Sequence, residues 1–358
     1  MLARYENIVW LQTAFLGDCV LTTAAIRLAR KQFPEVRQFV LTHAVGEKVF
    51  AQCPEVEGVF VIKKRTEWLW QTLARLGQFL RCHRLKGDPR TVMLLPHKST
   101  RSALIAWAAG FSTIAYEEGA RFPWLRWVAV PRVAVLHEAA RIALLLEPLG
   151  VDRTQVIAAR PGLDVSARIQ STPPHMIYTI GLALGSVWAT KAWPLHYFAQ
   201  LAVSILDMHP RVQLSLLGSI AEKQREESFL EYFCQYDGSG RAAERLVSRV
   251  GKTSIGQMSA EIKALDLLIS NDSAPVHFAS AFDVPTVVLF GATIPEMGFG
   301  PLSSKHEVCQ VRELSCRPCG LHGHQTCPQK HFRCMRELTP AMVFETVAKV
   351  FKQLCLEK

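Results

Sequence analysis

The chain contains no long hydrophobic run. Nowhere in its 358 residues do about 18 uncharged apolar residues follow one another, which is the length that a membrane-spanning helix needs. The first apolar stretch is preceded by Glu6 and interrupted by Asp18, whereas a secretory signal has a basic flank and a small-residue cleavage site. We therefore expect no spanning helix and no secretory signal, and we expect a cytosolic protein that can touch a membrane.

The sequence also has no internal repeat, no low-complexity segment and no recognised nucleic-acid-binding motif. Its 41 Lys and Arg residues outnumber its 31 Asp and Glu residues, and the net charge of +10 favours anionic partners. Charge alone does not separate phosphorylated ligands, nucleic acid and an acidic membrane surface. Because the basic residues are dispersed along the chain, binding of nucleic acid is an alternative interpretation and not the leading one.

The length suits two domains, because a single hydrophobic core rarely grows beyond about 250–300 residues. Hydrophobic residues make up 49% of the sequence, so both domains can be well packed. The ten cysteines should be mostly reduced in the cytosol. Four of them form a cluster late in the chain, namely Cys316, Cys319, Cys327 and Cys334.

A strand, a turn, a helix and a second strand are predicted between residues 267 and 290. Two apolar runs flank Asn271-Asp272-Ser273 and a helix of small residues, which is the pattern of one crossover unit in a parallel sheet. Asp272 or Ser273 is a suitable N-cap, and the N–H groups of residues 274–277 with the helix dipole form a site for an anion. The alternative is that Asn-Asp-Ser only caps a helix.

The first strand is predicted at residues 7–12, and a Gly-Asp pair follows it. Gly17 allows a tight turn into a helix over residues 20–32, and Asp18 lies at the start of that helix. Open α/β folds bind ligands at the carboxyl edge of the sheet, where this turn falls. Asp18 is therefore a candidate functional carboxylate, and the alternative is a plain N-cap.

Strands and helices continue to alternate, which predicts a doubly wound parallel sheet. The strands are predicted over residues 38–41, 58–62 and 91–95, and the helices over residues 46–52, 68–82 and 102–109. Basic residues follow several of these strands and could receive an acidic substrate, although a single basic residue is more often a solvated surface charge. The candidate residues for this role are Lys64, Lys98 and Arg101, and Arg121, Arg126 and Arg132 share the pattern.

A second alternating set follows a Pro-bearing stretch at residues 160–174, which we interpret as a linker. Its strands are predicted over residues 176–184 and 212–217, and its helices over residues 195–206 and from about residue 221. We therefore predict two Rossmann-like domains, residues 1–165 and residues 166–339. A C-terminal amphipathic helix is predicted within residues 340–358.

Several motifs together resemble the lipopolysaccharide heptosyltransferases of glycosyltransferase family 9. They occur in the family's order over roughly the whole chain. They are Phe15-Leu16-Gly17-Asp18; Gly185-Ser186 with Lys191-x-Trp193-Pro194; Leu217-Gly218-Ser219; Gly251-Lys252-Thr253-Ser254; Asn271-Asp272-Ser273 with His277; and Phe290-Gly291-Ala292-Thr293 with Gly300-Pro301. The cysteine-rich tail is most similar to the branch that adds the second heptose.

The resemblance implies the GT-B fold, in which two Rossmann-like domains face a central cleft. It implies an inverting transfer of heptose from ADP-L-glycero-β-D-manno-heptose to the heptose of the lipopolysaccharide inner core, with the N-terminal domain binding the acceptor. The implied catalytic residues are Asp18, as the base, and Lys191, whose ammonium meets the leaving diphosphate. The implied donor-binding groups are Lys191, Ser186, Ser273, Ala274 and His277 at the diphosphate, Asp272 at the sugar hydroxyls and Glu222 at the nucleoside.

The resemblance also implies that no metal or other cofactor is needed, and the sequence contains no Asp-x-Asp pair to hold a divalent ion. The four clustered cysteines nevertheless have the spacing of a zinc site, with His322, His324 and His331 nearby as substitute ligands. The alternatives are reduced thiols or a disulfide. If a metal binds there, we expect it to stabilise the loop and not to catalyse.

Three positions depart from the family pattern. Ala274 stands where glycine is usual and would crowd the phosphates unless its dihedral angles are ordinary. Val187 replaces a hydroxyl beside Ser186, and His97 replaces a frequent asparagine. These changes leave the residues implied for the main chemistry in place.

The expected partners are ADP-heptose, the inner-core acceptor and, by peripheral contact, the cytosolic face of the inner membrane, without nucleic acid. A GT-B transferase that uses another nucleotide sugar is a rival interpretation, because phosphate-binding features are shared more widely than sugar selectivity. Selective binding of ADP over UDP would separate that rival from the leading interpretation. Two non-enzymatic interpretations also stay open, namely a protein that binds anions or nucleic acid and an inert sugar-binding relative.

Overall fold

The computed structural model describes residues 5–63, 68–97, 99–119, 127–165, 177–238, 240 and 242–357. The chain divides into two units, Met1–Asp164 and Val165–Lys358. Each unit contains one parallel sheet of six strands. Most of the predicted linker, residues 166–174, lies outside the described residues.

The first unit alternates strands with helices. Its strands are β1 (Asn7–Leu11), β2 (Arg37–Thr42), β3 (Gly58–Val61), β4 (Thr91–Leu95), β5 (Ser112–Tyr116) and β6 (Trp127–Val130). Its helices are α1 (Leu16–Gln32), α2 (Ala44–Phe50), α3 (Leu69–Cys82), α4 (Thr100–Ala109), α5 (Glu138–Ala143) and α6 (Arg153–Ile157). The strand order β3-β2-β1-β4-β5-β6 is that of a doubly wound Rossmann sheet.

The core of the first unit explains why its central strands are apolar throughout. All five residues of β1 are buried, as is typical of a parallel sheet covered on both faces. Leu76 and Leu80 of α3 and Ile105 of α4 pack with β1, β2 and β4 in one hydrophobic cluster. Helix α1 packs against α2 and α5.

The second unit repeats the same plan. Its strands are β7 (Tyr178–Ala183), β8 (Val212–Leu217), β9 (Leu246–Ser248), β10 (Leu267–Asn271), β11 (Thr286–Phe290) and β12 (His306–Gln310). Its helices are α7 (Leu195–Met208), α8 (Lys223–Tyr236), α9 (Ile255–Lys263), α10 (Ala274–Phe282), α11 (Arg333–Arg336) and α12 (Pro340–Glu357). The order β12-β11-β10-β7-β8-β9 places β7 and β10 side by side at the centre.

The last helix belongs to the core of the second unit. Val343, Val347 and Phe351 of α12 are buried in one cluster with residues of α7 and of the sheet. Trp193 is fully buried in the same cluster and donates a hydrogen bond from its indole nitrogen to the carbonyl of Leu338 at 2.8 Å. The C-terminal helix is therefore part of the second unit and not a separate appendage.

The prediction and the structure differ most clearly at two helix starts and at two strands. Helix α1 begins at Leu16 and not at residue 20, so Asp18 lies inside its first turn. The sequence pattern did not predict β5 or β6. A 3₁₀ turn, Ile220–Glu222, precedes α8, so that helix begins at Lys223. In the described part of the chain, no helix combines the length and the apolar character needed to cross a membrane.

Candidate active site

Lys191 and Asp272 form an ion pair at the centre of the second sheet. Asp272 directly follows β10, and Lys191 ends a 3₁₀ turn after the neighbouring β7. Its Nζ lies 2.6 Å from Asp272 Oδ2, and both side chains are largely buried. Thr293, which comes after β11, donates from Oγ1 to the same carboxylate oxygen at 2.6 Å. The structure therefore brings together two predicted site residues and adds a third group, Thr293.

Asn271 connects the strand end that carries Asp272 to the loop that carries Lys191. Its carboxamide oxygen accepts the backbone N–H of Trp193 at 3.0 Å. Its amide nitrogen donates to the carbonyls of Leu184 at 3.0 Å and of Gly185 at 3.3 Å. The side chain is fully buried, so these hydrogen bonds satisfy polar atoms that water cannot reach. Asn271 thus ties the end of β10 to the loop that carries Lys191.

The start of α10 lies directly after Asp272. Ser273 is the N-cap residue, but its hydroxyl donates to the carbonyl of Asn271 at 3.2 Å and does not cap a helical N–H. The dipole of this nine-residue helix and the N–H groups of its first turn favour an anion there. Ala274 is the first helical residue, so its dihedral angles are ordinary and the expected crowding does not arise. His277 is buried on the same helix.

Glu222 lies over the end of β7. Its Oε2 accepts the backbone N–H of Ser219 at 2.7 Å and the hydroxyl of that serine at 2.9 Å. A Cβ at Gly185 would lie 1.5 Å from Glu222 Oε1, so a side chain at this position would displace the Glu222 carboxylate. Ser186 Oγ accepts the N–H of Trp188 at 3.3 Å, and the neighbouring Val187 is exposed. Glu222 and Ser186 therefore share the carboxyl edge of the sheet with Lys191.

The cysteine-rich segment, residues 316–334, contacts both sides of this site. Thr190, next to Lys191, donates from its N–H and its hydroxyl to the carbonyl of His324 at 3.0 Å and 2.9 Å. The N–H of His324 donates back to that hydroxyl at 2.7 Å. Arg317 donates from Nη2 to the carbonyl of Thr293 at 2.7 Å. The segment thus links the loop of Lys191 to the residue that holds Asp272.

The four cysteines of the segment are free. Among the residues that the structure describes, no three His, Cys, Asp or Glu side chains are arranged to hold a metal ion. Burial raises the pKa of the Cys334 thiol to about 11 and also raises the pKa of Cys319. Both thiols are therefore neutral at pH 7, which lowers their nucleophilicity.

In the first unit, Asp18 is the third residue of α1. Its Oδ2 accepts the backbone N–H of Phe15 at 3.1 Å, so the carboxylate supports the helix start without being the N-cap. Loss of water around the carboxyl group raises the pKa of Asp18 to about 6. The Glu138 carboxylate raises it further, whereas the hydrogen bond from Phe15 and the Arg132 guanidinium lower it. A pKa near 6 suits a general base that works close to neutral pH.

Glu138 is the centre of a buried charge cluster at the start of α5. Its Oε2 accepts from Arg132 Nη2 and from Arg141 Nη1, both at 2.9 Å. Arg141 is buried and also donates to the carbonyls of Val133 and Ala134. The cluster carries one net positive charge and fixes the orientation of Glu138. It therefore keeps both a carboxylate and a guanidinium within electrostatic reach of Asp18.

The candidate acceptor residues are only partly described. Lys64 and Lys98 lie outside the described residues. Arg101 is half-buried at the start of α4 and donates from Nη2 to Thr72 Oγ1 at 3.5 Å. His97 lies between two hydroxyls, with its Nε2 2.9 Å from Thr13 Oγ1 and 3.1 Å from Ser102 Oγ. These side chains follow β1 and β4, so they lie at the same edge as Asp18.

Comparison with known proteins bears on what this arrangement does. The sequence profile of glycosyltransferase family 9 (heptosyltransferase) matches residues 82–331, which include parts of both units. The chain belongs to this family. The family predicted from the motifs is confirmed.

Relatives of this family 9 chain are heptosyltransferases by name. It is 30% identical over 172 residues to lipooligosaccharide heptosyltransferase 2 of Campylobacter jejuni, an alignment that covers 48% of this chain and 51% of that protein. The chain thus spans about half the length of that relative. It is 27% identical over 336 residues to lipopolysaccharide heptosyltransferase 1 of Pseudomonas aeruginosa, covering 87% of this chain and 86% of the other.

The fold of this family 9 chain is shared with a solved heptosyltransferase. The structure of E. coli ADP-heptose lps heptosyltransferase II superposes with a TM-score of 0.76 at 22% identity, covering 97% of this chain and 99% of that one. The predicted α/β class, with two Rossmann-like units of the GT-B type, is therefore confirmed. At this identity the likeness concerns the fold alone.

The structure adds four residues that the sequence did not single out as members of the site. Thr293 follows β11 and was visible only as part of a motif, as was Asn271 after β10. Thr190 precedes Lys191 and gave no chemical signal, because its role depends on a contact with residue 324. Glu138 lies 120 residues from Asp18 in the sequence, and only the packing of α1 on α5 brings their helices together.

Proposed function

We propose that this chain is an inverting glycosyltransferase that moves heptose from ADP-heptose to the heptose of the lipopolysaccharide inner core. The observation that carries the proposal is the meeting of Lys191, Asp272 and the start of α10 at one sheet edge. Transfer from a nucleotide diphosphate needs positive charge for the leaving group, polar groups for the sugar and a base for the acceptor. The names of the relatives supply the donor and acceptor classes.

On the donor side, the diphosphate meets Lys191, Ser186 and the N–H groups of α10. The positive charge of Lys191 is already paired with Asp272. An incoming phosphate therefore competes with Asp272 for the Lys191 ammonium. The released carboxylate of Asp272 then accepts hydrogen bonds from sugar hydroxyls, and Thr293 keeps it in place. Ligand binding and exposure of the sugar-binding carboxylate are thereby coupled.

The nucleoside is assigned to the surface near Glu222. This carboxylate can accept hydrogen bonds from ribose hydroxyls, and its place over Gly185 puts it at the end of β7. Val187 and Ile220 are exposed apolar side chains after β7 and β8 and offer surface for a base. The groups proposed for the diphosphate and the nucleoside thus lie at the ends of neighbouring strands.

On the acceptor side, Asp18 takes the proton of the attacking hydroxyl. The base belongs to the first unit and the donor groups to the second, and an inverting displacement needs the attacking and leaving oxygens on opposite sides of the anomeric carbon. Lys64, Lys98 and Arg101 are assigned to acidic groups of the acceptor. We extend this to peripheral contact with the cytosolic face of the inner membrane, where a lipid-linked acceptor would be met.

The deciding experiment is calorimetric binding of ADP-heptose, ADP, UDP and a UDP-sugar to chelator-treated protein. We expect ADP and ADP-heptose to bind and both uridine ligands to bind at least about tenfold more weakly, the result of one lost polar contact in the base site. Preference for UDP would overturn the proposed donor and favour a transferase for another nucleotide sugar. Absence of all nucleotide binding would overturn the proposed function.

A further inference from the structure

The peptide group that joins Ala14 to Phe15 lies between a histidine and the proposed base. Its carbonyl oxygen is 2.7 Å from His43 Nε2, and its N–H, which belongs to Phe15, donates to Asp18 Oδ2 at 3.1 Å. A peptide group is planar, so its carbonyl and its N–H turn together. A contact that fixes the carbonyl therefore also fixes the N–H that faces the carboxylate.

The strand order explains why His43 reaches this peptide. His43 directly follows β2, and the loop that contains Ala14 follows β1, which pairs with β2 in parallel. The carboxyl ends of the two strands therefore lie side by side. His43 is also the N-cap residue of α2, and its Nδ1 accepts the backbone N–H of Gly46 at 2.8 Å. One imidazole ring thus connects the start of α2 to the loop that precedes α1.

The hydrogen-bond partners of His43 determine which ring nitrogen carries the proton. A carbonyl oxygen can only accept a hydrogen bond, so Nε2 is protonated and donates to Ala14. A backbone N–H can only donate, so Nδ1 is unprotonated and accepts from Gly46. The ring is therefore a neutral imidazole that uses its donor and its acceptor on two different segments.

A buried side chain holds the other backbone group of Ala14. Gln12 is buried, and its Oε1 accepts the backbone N–H of Ala14 at 3.0 Å. The amide nitrogen of Gln12 donates to Thr22 Oγ1 at 2.8 Å, and that hydroxyl donates to the carbonyl of Asp18 at 2.7 Å. Both backbone groups of Ala14 are therefore bonded to side chains, Gln12 on one side and His43 on the other.

We infer that His43 is a positioning residue that directs the N–H of Phe15 toward the Asp18 carboxylate. The inference rests on the proposed function in one respect, because Asp18 is the base of that reaction. Hydrogen bonds in a chain polarise one another, so donation by His43 to the Ala14 carbonyl strengthens the N–H of the same peptide as a donor. A stronger donor stabilises the ionised carboxylate, which is the form of Asp18 that accepts a proton.

Two substitutions of His43 separate positioning from helix capping. In His43→Asn, the amide oxygen takes the place of Nδ1 and can still cap α2, but the shorter side chain no longer reaches Ala14. In His43→Gln, the amide nitrogen takes the place of Nε2 and can still donate to Ala14, whereas the cap is lost. We expect turnover at saturating substrate to fall about tenfold in His43→Asn and to recover for the most part in His43→Gln. The thermal midpoint should instead fall in His43→Gln, by roughly 2–4 °C.

Titration of the Asp18 carboxyl carbon by NMR, on the full chain without substrate, gives a readout that does not depend on turnover. The pKa of Asp18 lies at about 6 and should rise in His43→Asn, because a weaker hydrogen bond to the ionised form disfavours that form. ADP affinity should be unchanged in both variants, since the proposed donor groups belong to the second unit. His209→Asn is the matched control, because His209 Nδ1 also accepts a backbone N–H but lies before β8.

The outcomes separate this inference from the proposed function. Wild-type turnover and an unmoved Asp18 titration in His43→Asn would rule out the positioning role. Equal loss of turnover in the asparagine and glutamine variants would show that His43 only supports the fold. Failure of the wild-type chain to transfer heptose from ADP-heptose would instead overturn the proposed function, and the carboxyl titration would still decide whether His43 acts on Asp18.

Discussion

Asp18 serves both the helix and the proposed chemistry. Its carboxylate accepts the N–H of Phe15 and thereby supports the start of α1. Burial raises its pKa to about 6, which keeps it largely ionised at neutral pH and still basic enough to take a proton. The hydrogen bond favours the ionised state and burial disfavours it, so the two effects on the pKa oppose each other.

We expect Asp18→Asn to keep nucleotide binding and to lower turnover at least about 100-fold, the usual scale for loss of a general base. Asparagine retains an oxygen for the N–H of Phe15, so α1 should start as before. Calorimetry with ADP and an initial-rate assay measure the two quantities. Asp152→Asn, a change at the exposed N-cap of α6, is the control. Near-normal turnover in Asp18→Asn would refute the assignment.

The pH dependence of turnover tests the environment of Asp18. The base must be deprotonated, so activity should rise with pH through about 6 and level off above it. Glu138→Gln removes a negative charge that raises the pKa of Asp18, so the rising limb should move to lower pH. Glu57→Gln, beside Arg37 at the opposite edge of the sheet, is the matched control. A limb that stays in place in Glu138→Gln would contradict this role.

Lys191→Ala should weaken ADP binding at least about tenfold and lower turnover as well, because a charge-assisted contact is lost. The variant also leaves the Asp272 carboxylate buried without its cation, which further disfavours a diphosphate nearby. Lys263→Ala, an exposed change in the last turn of α9, provides the comparison. Calorimetry measures both, and an unchanged dissociation constant for Lys191→Ala would remove this residue from the phosphate site.

At the scale of elements, the cysteine-rich segment connects two loops of the candidate site. It bonds to Thr190 on one side and to Thr293 on the other, so it fixes the spacing between the lysine loop and the end of β11. Lys191 lies on the loop between β7 and α7, whose only regular structure is one 3₁₀ turn. Without the cysteine-rich segment, these contacts would not hold that loop. The segment therefore contributes to the site without supplying a reacting group.

Thr190→Val should reproduce the shape of threonine and remove its hydroxyl bonds to the backbone of His324. Loss of such bonds costs about 1–3 kcal/mol where a buried partner is left unsatisfied. We expect ADP binding to weaken about tenfold, with recovery in Thr190→Ser, which keeps the hydroxyl. Comparison of the thermal midpoints shows whether the fold is retained. Equal ADP binding by the valine and serine variants would show that the hydrogen bonds between Thr190 and His324 do not position Lys191.

At the scale of the whole molecule, the alternation of apolar runs and helical segments was sufficient to predict two doubly wound units. β1 and β10 are buried along their whole length, and such strands give continuous apolar runs. β6 was not predicted because Val128 and Ala129 are exposed, which leaves no continuous buried run. β5 was also missed, although it is as long as β1 and four of its five residues are buried, so neither its length nor its burial explains the omission.

The site was predictable where a residue follows a strand end. Asp18 and Asp272 lie there, and the sequence pattern indicated both, whereas Glu222 was expected from the resemblance to the family. The pairing of Lys191 with Asp272 was not predictable, because it depends on β7 and β10 being neighbours in the sheet. The contact of Thr190 with His324 was not predictable either, because it joins residues 134 positions apart and leaves no local pattern in the sequence.

A chelator tests whether turnover by the purified chain needs a metal ion. We expect treatment with EDTA followed by gel filtration to leave turnover within about twofold of the starting value, because the proposed leaving-group contacts are an ammonium, a hydroxyl and helix N–H groups. Elemental analysis of the same sample measures any zinc held by the cysteine-rich segment. A large loss of turnover that added metal restores would contradict the proposed metal-free mechanism.

The two sheets have the same strand order, yet the proposed base lies in one unit and the proposed donor groups lie in the other. Each unit has its own hydrophobic cluster, and the border between the units falls at residues 164 and 165. Genetic exchange at that junction would replace the proposed base and the proposed acceptor-binding residues together and leave the proposed donor site of the second unit unchanged. New glycan structures could thus arise by recombination of whole units, without gradual change of the donor site.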